Sequence, residues 1–209
     1  MIVISHRGYW KTADEKNRPV AFRRSFDLGF GTETDVRDLA GRLVVSHDMP
    51  KGGELDFDGL LAILAGRDLP LAVNIKADGL SAPLAERMRA HALTKWFTFD
   101  MSVPEMVVQL ARGLPVFTRS SEFEAPPPIY DRAIGVWVDS FGATAPTPAL
   151  IRGFLADGKR VCIVSPELHG RDPSDFWAAL KADGLADAPD LMLCSDVPEQ
   201  AVEFFGIAR

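Results

Sequence analysis

Eight short extended segments, seven of them paired with a helix-like stretch, constrain the fold of this 209-residue chain more than any other feature. The segments begin near residues 2, 32, 71, 96, 115, 134, 161 and 191. Runs such as PLAVNI are apolar almost without a break, as expected of strands that helices cover on both faces. Apolar stripes, such as Val20, Ala21, Phe22, Phe26 and Leu28 ahead of Gly29, predict helices over 19–28, 55–65, 81–92, 103–112, 147–157, 173–182 and 198–205. After a turn at 38–41, LVVSHD predicts a small hairpin arm or an adjoining extended piece. The Pro-rich stretch SSEFEAPPPIYDRA predicts an irregular connection with at most a short helix.

Eight such units without a linker or a break in composition predict one domain over residues 1–209, folded as a (β/α)8 TIM barrel. Such barrels typically need ~250 residues, so the loops here must be short. The alternative is an open, doubly wound sheet. No GxGxxG follows the first strand, which removes the commonest cofactor reading of that alternative.

Charge narrows the partners. With 23 Lys+Arg against 29 Asp+Glu the formal net charge is −6, which argues against broad binding to nucleic acid or anionic membranes and leaves room for a local basic pocket. The start, MIVISHRG, has neither a basic leader nor a sustained apolar span, so the expected location is cytoplasmic, without stable membrane insertion. Cys162 and Cys194 both lie in apolar strand-like runs, where buried free thiols are expected.

Polar residues collect at the strand ends: His6 and Arg7, Glu33 and Asp35, Asn74 and Lys76, Asp100, Asp139, Glu167 and His169, Ser195 and Asp196. A barrel gathers such ends around one mouth. Glu33 and Asp35 are two apart on a strand and so share a face, with Cα atoms about 7 Å apart. Two carboxylates facing inward repel each other and lose hydration; a divalent cation offsets both costs, and oxygen ligands favour Mg²⁺, Ca²⁺ or Mn²⁺ over zinc. Arg7, Arg37 or Lys76 would neutralise them equally well as structural ion pairs. His6 and His47 follow extended segments, and imidazole is the side chain best suited to give and take protons near neutral pH. Arg7 and Lys76 have the chemistry to hold a phosphate. Trp137, Glu167 and His169 are candidates for substrate contacts; core packing for Trp137 and a self-paired loop for the other two are the alternatives.

These motifs, SHRG at 5–8, ETD at 33–35 within GTETDVRDLAGRLVVSHD, and VNIK at 73–76, with weaker matches FD at 99–100 and SD at 195–196, resemble the glycerophosphodiester phosphodiesterase family. The resemblance implies a (β/α)8 barrel that hydrolyses glycerophosphodiesters with one divalent cation. It implies His6 and His47 as the acid/base pair, Arg7 and Lys76 as phosphate contacts, and Glu33 and Asp35 as metal ligands. Family members usually carry a glutamate two residues before the lysine of the third strand; this chain has Asn74, an uncharged oxygen ligand at most. The family's usual inserted subdomain between the second and third strands has no room here. The expected substrate is therefore a small glycerophosphodiester-like or sugar or polyol phosphodiester. A lyase releasing a cyclic phosphate, and a weak or inactive barrel binding a phosphorylated metabolite, are the alternatives.

Overall fold

A computed structural model describes residues 1–142 and 144–207. In chain order the elements are β1 (Ile2–His6), α1 (Pro19–Asp27), β2 (Gly31–Leu39), β3 (Arg42–Val45), β4 (Leu55–Asp56), α2 (Phe57–Leu64), β5 (Leu71–Ile75), α3 (Ser81–Ala90), β6 (Trp96–Phe99) and α4 (Val103–Ala111). They continue with β7 (Phe117–Ser120), β8 (Gly135–Val138), α5 (Pro148–Ala156), β9 (Arg160–Val164), α6 (Ser174–Ala182), β10 (Leu191–Ser195) and α7 (Pro198–Phe205). The chain divides into two compact units, one running from His6 to Val116 and the other combining Met1–Ser5 with the chain from Phe117 onward.

In the first unit β5 pairs in parallel with both β2 and β6, and Thr98 of β6 bridges in parallel to Val116. The hairpin arm expected from LVVSHD is β3, antiparallel to β2. Helix 55–65 begins two residues later than expected, because Leu55 and Asp56 form β4 against Val45 and Val44. The strand expected at 115–118 is shifted to Phe117–Ser120, since Pro115 has no N–H to donate; its carbonyl still accepts from the Thr98 N–H at 2.9 Å. Phe22, Phe57, Leu60, Leu61, Leu64, Leu71, Leu84, Phe97 and Phe99 are fully buried and form the apolar packing of this unit.

In the second unit parallel pairs link β1 to β10, β10 to β9, β9 to β8 and β8 to β7. Cys162 and Cys194 are buried on β9 and β10. The Pro-rich connection carries only one short 3-10 turn, Tyr130–Arg132. Helix starts follow the local chemistry: Ser102 Oγ accepts from the Glu105 N–H at 3.2 Å, and Thr147 Oγ1 from the Leu150 N–H at 3.2 Å. Among the described residues no helix is long and apolar enough to cross a membrane.

Candidate functional site

β2 brings Glu33 and Asp35 onto one face, at 1% and 0% exposure. The register of β2 on β5 sets Asp35 beside Asn74, itself 7% exposed, and Lys76 follows just past the end of β5.

The HRG segment closes over this pair because of its backbone. Arg7 takes a left-handed φ of 57°, rare for a long side chain, and its N–H donates to the Glu33 backbone oxygen at 3.0 Å while lying 3.2 Å from Glu33 Oε2. Gly8 follows with φ of 79°; a Cβ there would stand 2.8 Å from the Ala21 carbonyl carbon, so no other residue permits this approach to α1. The turn delivers Arg7 Nε to 2.9 Å from Asp35 Oδ2.

Asn17 and Asp100 adopt the same unusual conformation, with φ of 59° and 62°. Asn17 Nδ2 donates to Asp35 Oδ2 at 2.8 Å, and its Oδ1 accepts from Thr34 Oγ1 at 3.1 Å. Asn74 Nδ2 donates to Asp100 Oδ2 at 3.1 Å. Three left-handed non-glycine residues thus converge on one cluster.

The two carboxylates differ. Asp35 has Arg7 and Asn17 on Oδ2 and Lys76 Nζ at 3.4 Å from Oδ1, close enough for Coulomb attraction but outside hydrogen-bond geometry. The ion pairs weighed from the sequence are therefore present for Asp35, made by Arg7 and Lys76; Arg37 instead donates to the His47 carbonyl at 3.0 Å. Glu33 is less well served. Burial, and then the negative charge of Asp35, push its carboxyl well above the usual value near 4.5, against the opposing pull of Arg7 and Lys76.

His6 brings Nε2 to 3.9 Å from Glu33 Oε2, with its side chain 14% exposed. His47 is much more open, 46% exposed, and its Nδ1 lies 2.8 Å from Asp48 Oδ1. A cavity of about 290 Å³ includes Arg7, Lys16, Arg18, Ser46, His47 and Glu54 in its lining, so His47 and Arg7 face one space. Lys16, Arg18 and Asn17 belong to a loop whose sequence gave no functional signal beyond its polarity.

Trp137, Glu167 and His169 lie in the other unit. Trp137 is 3% exposed on β8. Both oxygens of Glu167 are engaged: Oε2 accepts from Ser165 Oγ, and Oε1 from Ser195 Oγ at 2.6 Å and the Asp196 N–H at 3.2 Å. His169 Nε2 lies 2.8 Å from Asp139 Oδ1. A cavity of about 670 Å³ is also in this unit, at the ends of β7 and β8, walled mainly by Pro126, Pro127, Pro146, Leu150 and Phe154 with Glu122 and Asp139 among its lining.

Among the described residues no three or more His, Cys, Asp and Glu are grouped to hold a metal. The Glu33, Asp35 and Asn74 set is nevertheless of the right kind for a hard cation, two carboxylates and an amide. Asp35 Oδ1 and Asn74 Oδ1 are buried without a hydrogen-bond partner. Buried acceptors left in this state cost stability, which a cation would recover.

No family model matches the sequence, and no curated protein matches it. Solved structures do. A glycerophosphodiester phosphodiesterase from Agrobacterium tumefaciens is similar with a TM-score of 0.73 and 18% identity, covering 99% of each chain. One from Parabacteroides distasonis has a TM-score of 0.71 and 16% identity, over 98% of this chain and 96% of its own. An Oleispira antarctica phosphodiesterase, in complex with the product sn-glycerol-3-phosphate, has a TM-score of 0.70 and 14% identity, over 99% and 97%. At these identities the likeness shows the fold: the chain has the (β/α)8 TIM-barrel fold of these enzymes, the class that the eightfold alternation predicts.

Proposed function

We propose that the protein is a phosphoric diester hydrolase that acts, with one divalent cation, on a small glycerophosphodiester-like or sugar or polyol phosphodiester. The observation that carries the reading is Glu33, a buried carboxylate beside Asp35 and 3.9 Å from an imidazole, with Arg7 and Lys76 as the cations of the same cluster. The fold shared with glycerophosphodiester phosphodiesterases supports it.

In this proposal Glu33, Asp35 and Asn74 hold Mg²⁺ or Ca²⁺, with Mn²⁺ as a substitute. When bound, the cation supplies Lewis-acid polarisation of a phosphoryl oxygen. Arg7 and Lys76 orient the phosphodiester and stabilise the charge that grows on its non-bridging oxygens. His6 and His47 divide the proton work, one removing a proton from the attacking oxygen and the other protonating the departing alkoxide. Asp48 fixes the His47 ring through Nδ1, which leaves Nε2 for the reaction.

One observation favours a second reading. Asp35 is already neutralised by Arg7 and Lys76, and position 74 adds no charge, as in a barrel that binds a phosphorylated metabolite without turning it over. The test is hydrolysis of a generic phosphodiester and several glycerophosphodiesters with Mg²⁺, Ca²⁺ or Mn²⁺, beside His6→Ala and His47→Ala. Turnover that chelator abolishes and both substitutions reduce supports the hydrolase. Phosphodiester binding that persists in chelator, with no turnover under any metal, supports the second reading. A cyclic phosphate as the end product would make it a lyase.

A further inference from the structure

We propose that Asp100 is a positioning residue that fixes which end of the Asn74 amide faces the cation site. The proposal rests on the cation reading above. Carboxamide ends are opposite in kind: Oδ1 accepts and can ligate a cation, whereas Nδ2 carries two N–H groups and repels one. With Asn74 in place of a carboxylate, the position therefore serves a cation in only one of its two orientations.

Asp100 makes that choice. An ionised carboxylate only accepts hydrogen bonds, so its Oδ2, 3.1 Å from the amide, selects Nδ2 as the end turned toward it. Oδ1 is then turned the other way, where it is buried and has no hydrogen-bond partner. The register places Asn74 directly beside Asp35, whose Oδ1 is likewise buried without a hydrogen bond. Two acceptors without a hydrogen bond on paired strand positions, one of them balanced only by Lys76 Nζ at 3.4 Å, are an arrangement that a water-excluded protein interior does not favour on its own.

The backbone at Asp100 belongs to the same device. Its φ of 62° immediately follows the end of β6, where an extended continuation would carry the side chain elsewhere. Aspartate and asparagine tolerate this conformation better than other side chains, and glycine adopts it freely. Asp100→Asn and Asp100→Gly are for that reason substitutions that the backbone accepts. A charge-assisted hydrogen bond also polarises the amide and makes its oxygen the stronger donor to a metal, as outer partners of metal ligands do.

The experiment is calorimetric titration with Mn²⁺ alone, in four proteins: wild type, Asp100→Gly, Asn74→Ala and the double variant, with Asp100→Asn as the conservative control and thermal melts to verify folding. Asp100→Gly should weaken Mn²⁺ binding by about 10-fold, within the range for outer partners of metal ligands. Asp100→Asn, whose uncharged amide can present either an acceptor or a donor and so selects one end of Asn74 less strictly, should show a smaller loss than Asp100→Gly without restoring wild-type affinity. In the Asn74→Ala background Asp100→Gly should change affinity by less than about 2-fold, because the two residues act as one unit. Equal losses with and without Asn74 would show Asp100 acting as a distant charge and overturn the proposal, as would unchanged affinity in Asp100→Gly. Absence of Mn²⁺ binding in every protein would overturn the cation reading itself, and this one with it.

Discussion

Glu33, fully buried, and Glu167, partly exposed, are two acidic side chains that differ in what meets their oxygens. Glu167 accepts from Ser165, Ser195 and the Asp196 N–H, and Ser165 is in turn held by Trp177 Nε1 at 2.9 Å. Each oxygen has a donor, and the result is a closed network that ties the loop after β9 to the end of β10. Glu33 has a backbone N–H at 3.2 Å, an imidazole at 3.9 Å and a second carboxylate on its own strand face. The first arrangement is a finished structural element. The second leaves a carboxyl that burial and the neighbouring Asp35 push toward its protonated form, and such a residue is a candidate for work on a ligand.

The largest expected effect breaks the comparison outright if it fails. His6→Ala should lower kcat/KM on a responsive phosphodiester by about 10²–10⁴-fold, the usual contribution of a general acid or base. Steady-state kinetics checks this, and an unchanged rate would remove the imidazole from the chemistry that Glu33 is thought to serve.

Asp35→Asn comes next. It strands Arg7 and Lys76, each only 20% exposed, so it should destabilise the fold by up to about 3–5 kcal/mol. Denaturant titration measures the loss. Glu33→Gln, two residues away on the same face, should move the other way and raise the melting temperature in chelator at neutral pH, by about 2–4 °C for each kcal/mol of relief. Folding raises Glu33 above its ordinary value near 4.5, so the native state holds that proton more tightly than the unfolded chain. The stability this proton gives is complete below that value and is lost as pH rises through the folded one. The advantage of Glu33→Gln should accordingly shrink as pH falls toward 4.5 and vanish below it.

Glu167→Gln sharpens the contrast with the smallest effect. Its carboxylate is satisfied, and an amide cannot accept from all three donors, so a loss of about 1–3 kcal/mol is expected with no gain at any pH. A thermal melt showing stabilisation would place Glu167 in the same category as Glu33.

Much of this was legible in the sequence. The alternation of apolar strands with amphipathic helices made the fold class legible, because both signals are local. The spacing of Glu33 and Asp35 gave their shared face, since the strand period is fixed. What the sequence did not show depends on the chain leaving those periods. Asn17 reaches Asp35 through a left-handed turn in an irregular loop, and nothing in ADEKNRP announces it. Asp100 was visible as a strand-end acid, but its hold on Asn74 follows from the φ of 62° and from the β5–β6 register. Which of Arg7, Arg37 and Lys76 would meet the acidic pair was open from composition alone; the turn at Arg7–Gly8 and the β2–β5 register bring Arg7 and Lys76 to Asp35, while Arg37 turns to the His47 carbonyl.

The most direct test of the central claim, that Glu33 is a buried carboxyl kept for a divalent cation, is the melting temperature of wild type and Glu33→Gln with and without Mn²⁺. In chelator the wild type should melt below the variant. Saturating Mn²⁺ should raise the wild type, by about 2.7 kcal/mol of stabilisation at a hundredfold excess over Kd, and leave Glu33→Gln nearly unmoved. A wild type that is the more stable protein in chelator, or a Mn²⁺ response equal in the two, would contradict the account.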